Sequence, residues 1–435
     1  MRKDIIKTLI TDFHEKGIPL VKPRLLEIPV NSKKIIVLTG ARRSGKTCHL
    51  YNVINRLVRD KIEIKNFLYF NFEDERIDEK TFEFNSIIEA YQELYPEINL
   101  DKCYFLFDEI QNINGWERFI RRVYEQYSKN VFVTGSNSRL LSREISTSLR
   151  CRSISYEIFP LNFREFLDFK DITVNLNSTK SVSTIINAFE KFLYDGGFPE
   201  LIFIADEIKN SVLQEYFNVM IFRDLIERYE ITQTAILKYF CKRLIGNSSK
   251  EFSANKIYNE IKSQGYKISK DTIYNFQEYV ESIYLALFLP KYLPSIVKQE
   301  FSRKKVYSID NGLASSINTF FRRDKGAILE NLIFLELIKK DRNVFYYSSN
   351  FECDFLIMEN DRISEAIQVC YDINDQDTKN REEIGLIRVC KEFELKKGLI
   401  LTNSEERRYK AEEIDIEVIP AYKYLLSNLS NEKIV

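Results

Sequence analysis

The sequence is poor in the residues that build metal centres, disulfide frameworks and turns. Only two of its 435 residues are histidine, His14 and His49, which excludes His-rich metal chemistry. Its seven cysteines are scattered singly with no C-x-x-C pair, which argues against zinc and against a disulfide framework and is typical of a reducing cytoplasm. Glycine and proline number 13 and 9, so most of the chain is expected to form helices and strands with short connections.

Long apolar runs and net charge are missing as well. No apolar run nears the roughly 18–20 residues of a membrane span, and the charged start "MRKDIIKTLITDF" lacks the apolar region of a signal peptide. We therefore expect a cytoplasmic protein without a membrane partner. Lys+Arg and Asp+Glu both number 64, so any contact with nucleic acid must come from a local basic patch.

The first part of the chain alternates apolar, β-rich runs with helical segments. The runs lie at 34–39, 66–72, 103–109 and 130–136, and a helical segment at 115–127 separates the last two. This alternation predicts a parallel α/β sheet. After residue 160 the pattern is helical, and strands and helices mix again beyond residue 305.

A phosphate-binding loop follows the first run. "GARRSGKT" at 40–47 matches G-x-x-x-x-G-K-[ST], in which Gly40 and Gly45 let the backbone amides face phosphate oxygens. Lys46 would reach the β and γ phosphates, Thr47 would hold Mg²⁺, and the next helix points its positive end at the same anion. The predicted nucleotide-binding residues are Gly40, Ala41, Arg42, Arg43, Ser44, Gly45, Lys46, Thr47 and Cys48.

Acidic and polar residues follow two later strands. In "YFLFDE" at 104–109, Asp108 would hold Mg²⁺, mostly through water, and Glu109 would polarise the attacking water. In "FVTGSNSRLLS", Ser136 or Asn137 is placed to touch the γ-phosphate or the water, the alternative being an ordinary polar turn.

Two arginines precede the fifth strand in "SLRCRSISYEI". Arg150 and Arg152 would either complete the site of a neighbouring subunit or form surface salt bridges. The first reading requires a homo-oligomer.

This order of motifs resembles the AAA+ ATPases, and more closely the archaeal and bacterial AAA+ ATPases of the family whose C-terminal half is a domain of unknown function. The matching blocks between residues 23 and 423 are "TGARRSGKT", "FLFDEIQNINGWE", "VFVTGSNSRLL", "YEIFPLNFREFL", "YDGGFPE", "VYSIDNGLASSI" and "GAILENLIFLEL". Cys151 departs from the family pattern, since relatives usually carry glycine before Arg152. The resemblance implies ATP and Mg²⁺ as cofactors and an ATP-hydrolysing enzyme.

The expected fold class is α/β, with four domains. We predict a P-loop AAA+ core at 1–160, a helical lid at 161–240, a winged helix at 241–304 and a PD-(D/E)XK nuclease-like α/β domain at 305–435.

The winged-helix prediction rests on residues 251–292. "ISKDT" provides an N-cap at Ser269, and Ile273, Phe276 and Val280 recur at helical spacing in a candidate recognition helix at 270–283. Between 241 and 270 the seven basic residues are Lys242, Arg243, Lys250, Lys256, Lys262, Lys267 and Lys270, against Glu251 and Glu260, which is a net charge of +5. The module either contacts DNA or serves only for packing.

The nuclease-like domain lacks part of the expected site. Glu330, Asp354 and Gln368 supply oxygens for a possible second Mg²⁺, but Gln368 and Cys370 stand where an active member usually carries Glu-x-Lys. Lys379 is the nearest substitute for the missing lysine. The domain is either inactive or a weak nuclease.

Three functions remain open. The first is a DNA-associated ATPase in which turnover moves the winged helix and a degenerate nuclease-like domain. The second is a STAND-like ATP-dependent signalling switch that binds protein partners, and the third is an ATP-gated, Mg²⁺-dependent DNA nuclease.

Overall fold

A computed structural model of the chain describes residues 3–78, 81–137, 149, 151–373 and 376–427, with side chains except at 376–380. The chain divides into two compact units, unit 1 at 1–159 with 282–284 and unit 2 at 160–281 with 285–435. The finer division into four domains stays a prediction. Over the described ranges, no helix is both long enough and apolar enough to cross a membrane.

Unit 1 contains the predicted parallel sheet. Its strands are β1 Ile35–Thr39, β2 Phe67–Asn71, β3 Tyr104–Asp108, β4 Asn130–Gly135 and β5 Ser153–Glu157, in the order β2-β3-β4-β1-β5. All four pairings are parallel. Its helices are α1 Lys3–Lys16, α2 Lys46–Arg59, α3 Asn85–Leu94 and α4 Trp116–Arg122, the last continued by a π-helical turn at Val123–Tyr127.

The sheet of unit 1 is covered on both faces. Ile35 and Val37 of β1 belong to one apolar cluster, and Ile36 and Leu38 belong to another. Alternate residues of a strand point to opposite faces, so a strand buried on both sides is apolar throughout. This explains why the run at 34–39 lacks the polar alternation of a half-exposed strand.

Unit 2 starts with helices and carries two sheets. The helices are α5 Phe163–Phe169, α6 Thr179–Asp195, α7 Asp206–Val219 with a π-helical continuation Met220–Glu227, α8 Thr234–Ile245, α9 Ala254–Ser263, α10 Lys270–Ser282, α11 Ile296–Glu300, α12 Asn311–Ile317, α13 Thr319–Arg323, α14 Lys325–Lys339, α15 Gln376–Glu392 and α16 Ala421–Ser427.

The smaller sheet of unit 2 is antiparallel. It consists of β6 Lys250–Glu251, β7 Ala286–Leu289 and β8 Lys305–Ser308 in the order β6-β8-β7. The pairing therefore continues past residue 304, and β8 brings Lys305 into this sheet. As the helical spacing indicated, Ile273, Phe276 and Val280 of α10 are buried.

The larger sheet of unit 2 is mixed. Its strands are β9 Asn343–Ser348, β10 Glu352–Glu359, β11 Arg362–Val369, β12 Lys397–Thr402, β13 Arg407–Ala411 and β14 Ile414–Pro420, in the order β13-β14-β12-β11-β10-β9. Strand β10 pairs antiparallel with β9 and with β11, whereas β11, β12 and β14 run parallel to one another. Gln368 and Val369 at the end of β11, and Cys370 directly after it, have buried side chains.

Two blocks of the family resemblance, "YDGGFPE" and "VYSIDNGLASSI", meet inside unit 2. The carboxylate of Asp310 accepts hydrogen bonds from the backbone N–H groups of Gly197 at 2.6 Å and Leu313 at 2.9 Å. Gly196 has a φ of 80°, and a Cβ there would lie 2.1 Å from Asp310 Oδ1. Burial raises the pKa of Asp310 to about 6. Through Asp310, these hydrogen bonds form a structural tie that joins the two sequence blocks within unit 2.

Candidate functional site

The strand order of unit 1 gathers the predicted nucleotide-site residues at one edge of the sheet. Strand β1 ends at the phosphate-binding loop, its neighbour β4 ends before Ser136, and β3 beside β4 ends at Asp108. In open parallel sheets, ligands bind outside the carboxyl ends of the strands. Motifs that are up to about a hundred positions apart therefore form one site.

The loop itself has the backbone that its glycines predict. Gly45 precedes α2 with a φ of 102°. A Cβ on Gly40 would lie 2.1 Å from the carbonyl oxygen of Ile158, so only glycine fits there. The Lys46 side chain is 4% exposed, and its Nζ donates to the carbonyls of Gly40 and Ala41, both at 3.1 Å.

Asp108 receives three hydroxyl hydrogen bonds. Thr47 Oγ1 donates to its Oδ2 at 2.8 Å, Tyr69 OH donates to the same oxygen at 2.9 Å, and Thr134 donates to Oδ1. Burial and the nearby Glu109 raise the pKa of Asp108, and these hydroxyls partly offset the effect. The Thr47–Asp108 pair is an oxygen set that suits Mg²⁺.

Glu109 is held by contacts from three directions. Its backbone is left-handed, with a φ of 50°. Its Oε1 lies 3.2 Å from Lys46 Nζ, while its Oε2 accepts from Gln111 Nε2 at 2.7 Å and from the Ser136 N–H at 3.1 Å. Burial alone would raise the pKa of Glu109, but Lys46 and the donors outweigh it and lower the pKa. The carboxylate is therefore ionised beside the loop.

The residues present fit a magnesium nucleotide. Ser44 Oγ is fully buried in the loop and has no hydrogen-bond partner in the described part of the chain, which is costly unless a ligand supplies one. Within the described residues, Lys46 Nζ contacts the carbonyls of Gly40 and Ala41 and the Glu109 carboxylate. Phosphate oxygens are stronger acceptors for an ammonium than neutral carbonyls. Lys46 would hold the phosphates, and Thr47 with Asp108 would hold the metal.

The remaining loop residues are placed at the edge of this site. Arg42 pairs with Glu73 at 2.7 Å, Arg43 is exposed with a φ of 68°, and Cys48 is exposed in the first turn of α2. Ser136 and Asn137 are both buried. Ser136 is thus brought to Glu109 through its backbone N–H, and its Oγ accepts from Gln111 at 3.3 Å.

The arginine turn is described only in part. Arg150 lies outside the described residues. Arg152 pairs with Glu125 of the same chain at 2.5 Å, which is the salt bridge left open as the alternative. Cys151 has a φ of 59°, a backbone region that favours the glycine of the family pattern.

Three residues of the site were not predicted from the sequence. Tyr69 of β2 and Thr134 of β4 bind Asp108, and Gln111 binds Glu109. The first two are polar residues inside apolar strands, which is a weak signal by itself. Gln111 stands two positions after Glu109 in "DEIQ", and its side chain is drawn to the site by the short 3₁₀ turn Ile110–Asn112.

Unit 2 contains a second cluster of buried charges. Lys305 Nζ lies 2.9 Å from Glu330 Oε1 and 3.0 Å from Asp354 Oδ1, and Tyr307 OH donates to Glu330 at 2.7 Å. Burial alone would lower the pKa of Lys305, but the two carboxylates hold it well above its ordinary value. Lys305 was not anticipated because it is 25 and 49 positions from its partners.

Gln368 and Cys370 extend this cluster. The Gln368 carbonyl accepts from the backbone N–H of Asp354 at 3.2 Å, and its amide donates to Glu382. Burial raises the pKa of Cys370 to about 11, so its thiol is neutral and supplies no cation. The side chain of Lys379 lies outside the described residues. In the described part of the chain, no group of three or more His, Cys, Asp or Glu side chains could hold a metal ion.

The cluster lines an open cavity of about 730 Å³. Its wall also carries Arg381 and Arg388 of α15, Lys250 of β6 and Phe351. The two buried carboxylates thus face a space large enough for a ligand, with arginines at its rim.

Comparisons with known proteins identify an AAA domain in the part of the chain that holds the phosphate-binding loop. Residues 32–167 match the model of an AAA domain, and residues 186–324 match a domain of unknown function (DUF8612). The chain is 38% identical to the uncharacterized protein MJ1544 of Methanocaldococcus jannaschii over 93% of this chain and 91% of that protein. It is 29% identical to an uncharacterized protein of Haemophilus influenzae, over 90% and 94% of the two chains.

Similar solved structures include the Walker-type ATPase PABY2304 of Pyrococcus abyssi, at 12% identity and a TM-score of 0.41, covering 73% of this chain and 95% of that one. The Orc1 protein of Aeropyrum pernix in complex with DNA is similar at 11% identity and a TM-score of 0.32, covering 74% and 91%. The relatives and the P-loop geometry carry the assignment: the chain belongs to the family of MJ1544, and its AAA domain places it in the AAA+ ATPase family.

Proposed function

We propose that unit 1 binds Mg·ATP at the edge of its sheet and hydrolyses it. The observation that carries the proposal is that two pairs meet at this edge, Lys46 with Glu109 at 3.2 Å and Thr47 with Asp108 at 2.8 Å. Bound Mg²⁺ would neutralise the charge that develops on the phosphate oxygens. Lys46 would pass from the loop carbonyls to the phosphates, and its departure would free Glu109 Oε1 to orient the attacking water.

The test is ATP hydrolysis by the purified chain beside Glu109→Gln. We expect the variant to bind ATP with the parent's affinity and to turn it over about 10²- to 10⁴-fold more slowly, the range for loss of a general base. Hydrolysis by the variant at the parent rate would place the base elsewhere.

The same proposal includes a homo-oligomer in which Arg150 or Arg152 reaches a neighbour's nucleotide. Supporting it, the ion pair between the Arg152 and Glu125 side chains is partly exposed on both sides and therefore costs little to break. Sedimentation with and without ATP would show whether the chain assembles. If it does, Arg152→Ala should lower the rate of ATP turnover. Turnover proportional to concentration, with no assembly, would contradict it.

We further propose that unit 2 associates with DNA through a winged helix formed by α9, α10 and the β6-β8-β7 sheet. Two of the seven basic residues counted there are engaged, since Arg243 pairs with Glu260 at 3.0 Å and Lys250 with Asp324 at 3.2 Å. Lys262, Lys267 and Lys270 are exposed. The amines of Lys262 and Lys270 both lie within 5.7 Å of the Tyr258 ring, so these charges share one face.

Charge reversal tests the DNA proposal. Lys262→Glu, Lys267→Glu and Lys270→Glu together should weaken duplex binding and flatten its dependence on salt, because phosphate contacts release counterions. The matched control reverses the exposed Lys396, Lys397 and Lys410, with the same change in net charge. Equal binding by both triple variants would favour the signalling switch with protein partners.

For the C-terminal block we propose a degenerate PD-(D/E)XK-like fold. The order α14, β9, β10, β11, α15 and β12 supports it, and Asp354 and Gln368 stand on adjacent strands. Gln368 is a neutral ligand and Cys370 is a neutral thiol, so the strand itself lacks half of the expected chemistry. Its movement would be coupled to ATP turnover.

A metal-dependent nuclease is the second candidate, and Lys305 is the observation that favours it. Strand β8 brings to Asp354 the cation that β11 lacks, at 3.0 Å. The test is cleavage of linear, plasmid and branched DNA with Mg²⁺ or Mn²⁺, with and without ATP. Cutting that is lost in both Asp354→Ala and Lys305→Met would establish the nuclease, and no cutting by a chain that hydrolyses ATP would support the degenerate domain.

A further inference from the structure

Gln111 has the contacts of a residue that fixes the hydrolytic carboxylate. Its Nε2 donates to Glu109 Oε2 at 2.7 Å and lies 3.3 Å from Ser136 Oγ. The amide thereby ties the end of β3 to the end of β4. Each strand contributes a predicted site residue, and a side chain that bridges them sets the distance between them.

The two oxygens of Glu109 are held unequally. Oε2 has two fixed donors, Gln111 Nε2 and the backbone N–H of Ser136, both on elements that belong to the sheet edge. Oε1 has Lys46 at 3.2 Å, the side chain that a phosphate would attract away. A carboxylate anchored through one oxygen keeps its direction when the other oxygen loses its partner.

The other end of Gln111 is incomplete. Its Oε1 is buried and has no hydrogen-bond partner among the residues that the structure describes. A buried acceptor without a donor costs roughly 1–3 kcal/mol, and such groups are explained by a catalytic role or an ordered water. The unpaired oxygen lies on the same amide that grips Glu109, so a water bound there would sit beside the carboxylate.

We propose that Gln111 is the positioning residue of the ATPase site: its amide N–H group anchors Oε2 of Glu109, so that Oε1 alone receives the attacking water after Lys46 has turned to the phosphates. The inference rests on the proposed function, because it assigns Glu109 as the base. It adds a residue that acts through Glu109 and leaves the phosphate contacts to the loop.

The test compares Gln111→Met, which keeps the side-chain length and removes both hydrogen-bonding groups, with Gln111→Asn, which keeps a shorter amide. We expect Gln111→Met to lower kcat about 10- to 100-fold, as for a misplaced catalytic group, with the parent's affinity for ATP. Gln111→Asn should fall between the two. A purely structural role for Gln111 would lower ATP affinity and kcat together.

The matched control is Asn114→Leu, an exposed amide side chain three positions after Gln111. It should hydrolyse ATP at the parent rate. A Gln111→Met chain with parent kcat, or one that loses ATP affinity as much as turnover, would overturn the inference and leave the proposed function standing. A parent chain that does not hydrolyse ATP would overturn both.

Discussion

Both units bury a lysine beside acidic side chains, but the two lysines are held by different acceptors. Lys46 is bound by two neutral carbonyls of its own loop and by Glu109 at 3.2 Å. Lys305 is bound by two carboxylates at 2.9 and 3.0 Å. An ammonium leaves neutral carbonyls readily for a phosphate, whereas two carboxylates retain it. Lys46 is therefore a cation that can transfer to a bound phosphate, whereas Lys305 is a retained cation that stays with its two carboxylates.

The largest expected difference between the two lysines is in ATP affinity, measured for Lys46→Met and for Lys305→Met. We expect Lys46→Met to lower ATP affinity about 100-fold or more, the equivalent of lost charge-assisted hydrogen bonds to phosphate. Lys305→Met should bind ATP like the parent. Titration with a fluorescent ATP analogue measures both, and unchanged affinity in Lys46→Met would remove the P-loop assignment.

The second effect concerns stability. Lys305→Met leaves Glu330 and Asp354 buried without their cation, so we expect a loss of roughly 3–5 kcal/mol in the free energy of unfolding. Adding Glu330→Gln should recover part of this loss, because it removes one uncompensated charge. Denaturant unfolding measures both variants.

The control for that comparison is Lys304→Met, whose partly exposed amine lies 3.7 Å from the exposed Glu300. It should change stability by no more than about 0.5 kcal/mol. If Lys305→Met behaves like this control, Lys305 is not a retained cation, and the contrast with Lys46 disappears.

A third prediction uses pH to probe the tie in unit 2. The folded-state pKa of Asp310 is raised to about 6, above the roughly 3.9 of an unfolded chain. The folded state therefore binds this proton more tightly, so its contribution to stability is complete below about pH 4 and is lost as pH rises through about 6. Asp310→Asn should remove that part of the slope, and an unchanged slope in unfolding experiments would contradict the assignment.

The smallest effect is expected at Tyr69. Tyr69→Phe removes one of three hydroxyl donors to Asp108 and leaves the other two. We expect a loss of about 0.5–1.5 kcal/mol in stability, the usual net value of one hydrogen bond. A much larger loss of ATP turnover than Glu109→Gln produces would show that Tyr69 acts in catalysis rather than as support.

How much of each site could be predicted depended on how close its residues lie to one another along the sequence. The loop residues from Gly40 to Thr47 act through one short backbone segment, so their spacing alone predicted where Lys46 lies. Asp108 and Glu109 followed because parallel strands deliver their carboxyl ends to one edge. Gln111 and Tyr69 required the structure, since only side-chain directions show which carboxylate they reach.

The C-terminal cluster was half predictable. Glu330, Asp354 and Gln368 were expected to come together, and Asp354 and Gln368 are joined through a backbone hydrogen bond at 3.2 Å. The nearest lysine along the sequence is Lys379, on the helix that follows β11. The cation that the structure provides is Lys305 from β8, a strand of a different sheet.

By itself, the sequence determined the parallel sheet, the phosphate-binding loop and the acidic strand end. Each of these three features depends on the local spacing of apolar residues or on a few adjacent residues, and none of them requires knowledge of distant packing. The tertiary structure decided which lysine faces Asp354, which blocks tie unit 2 together through Asp310, and which donors hold Glu109. Those contacts join residues that only the folded backbone brings within 3 Å or so, because hydrogen bonds and ion pairs act over such distances alone.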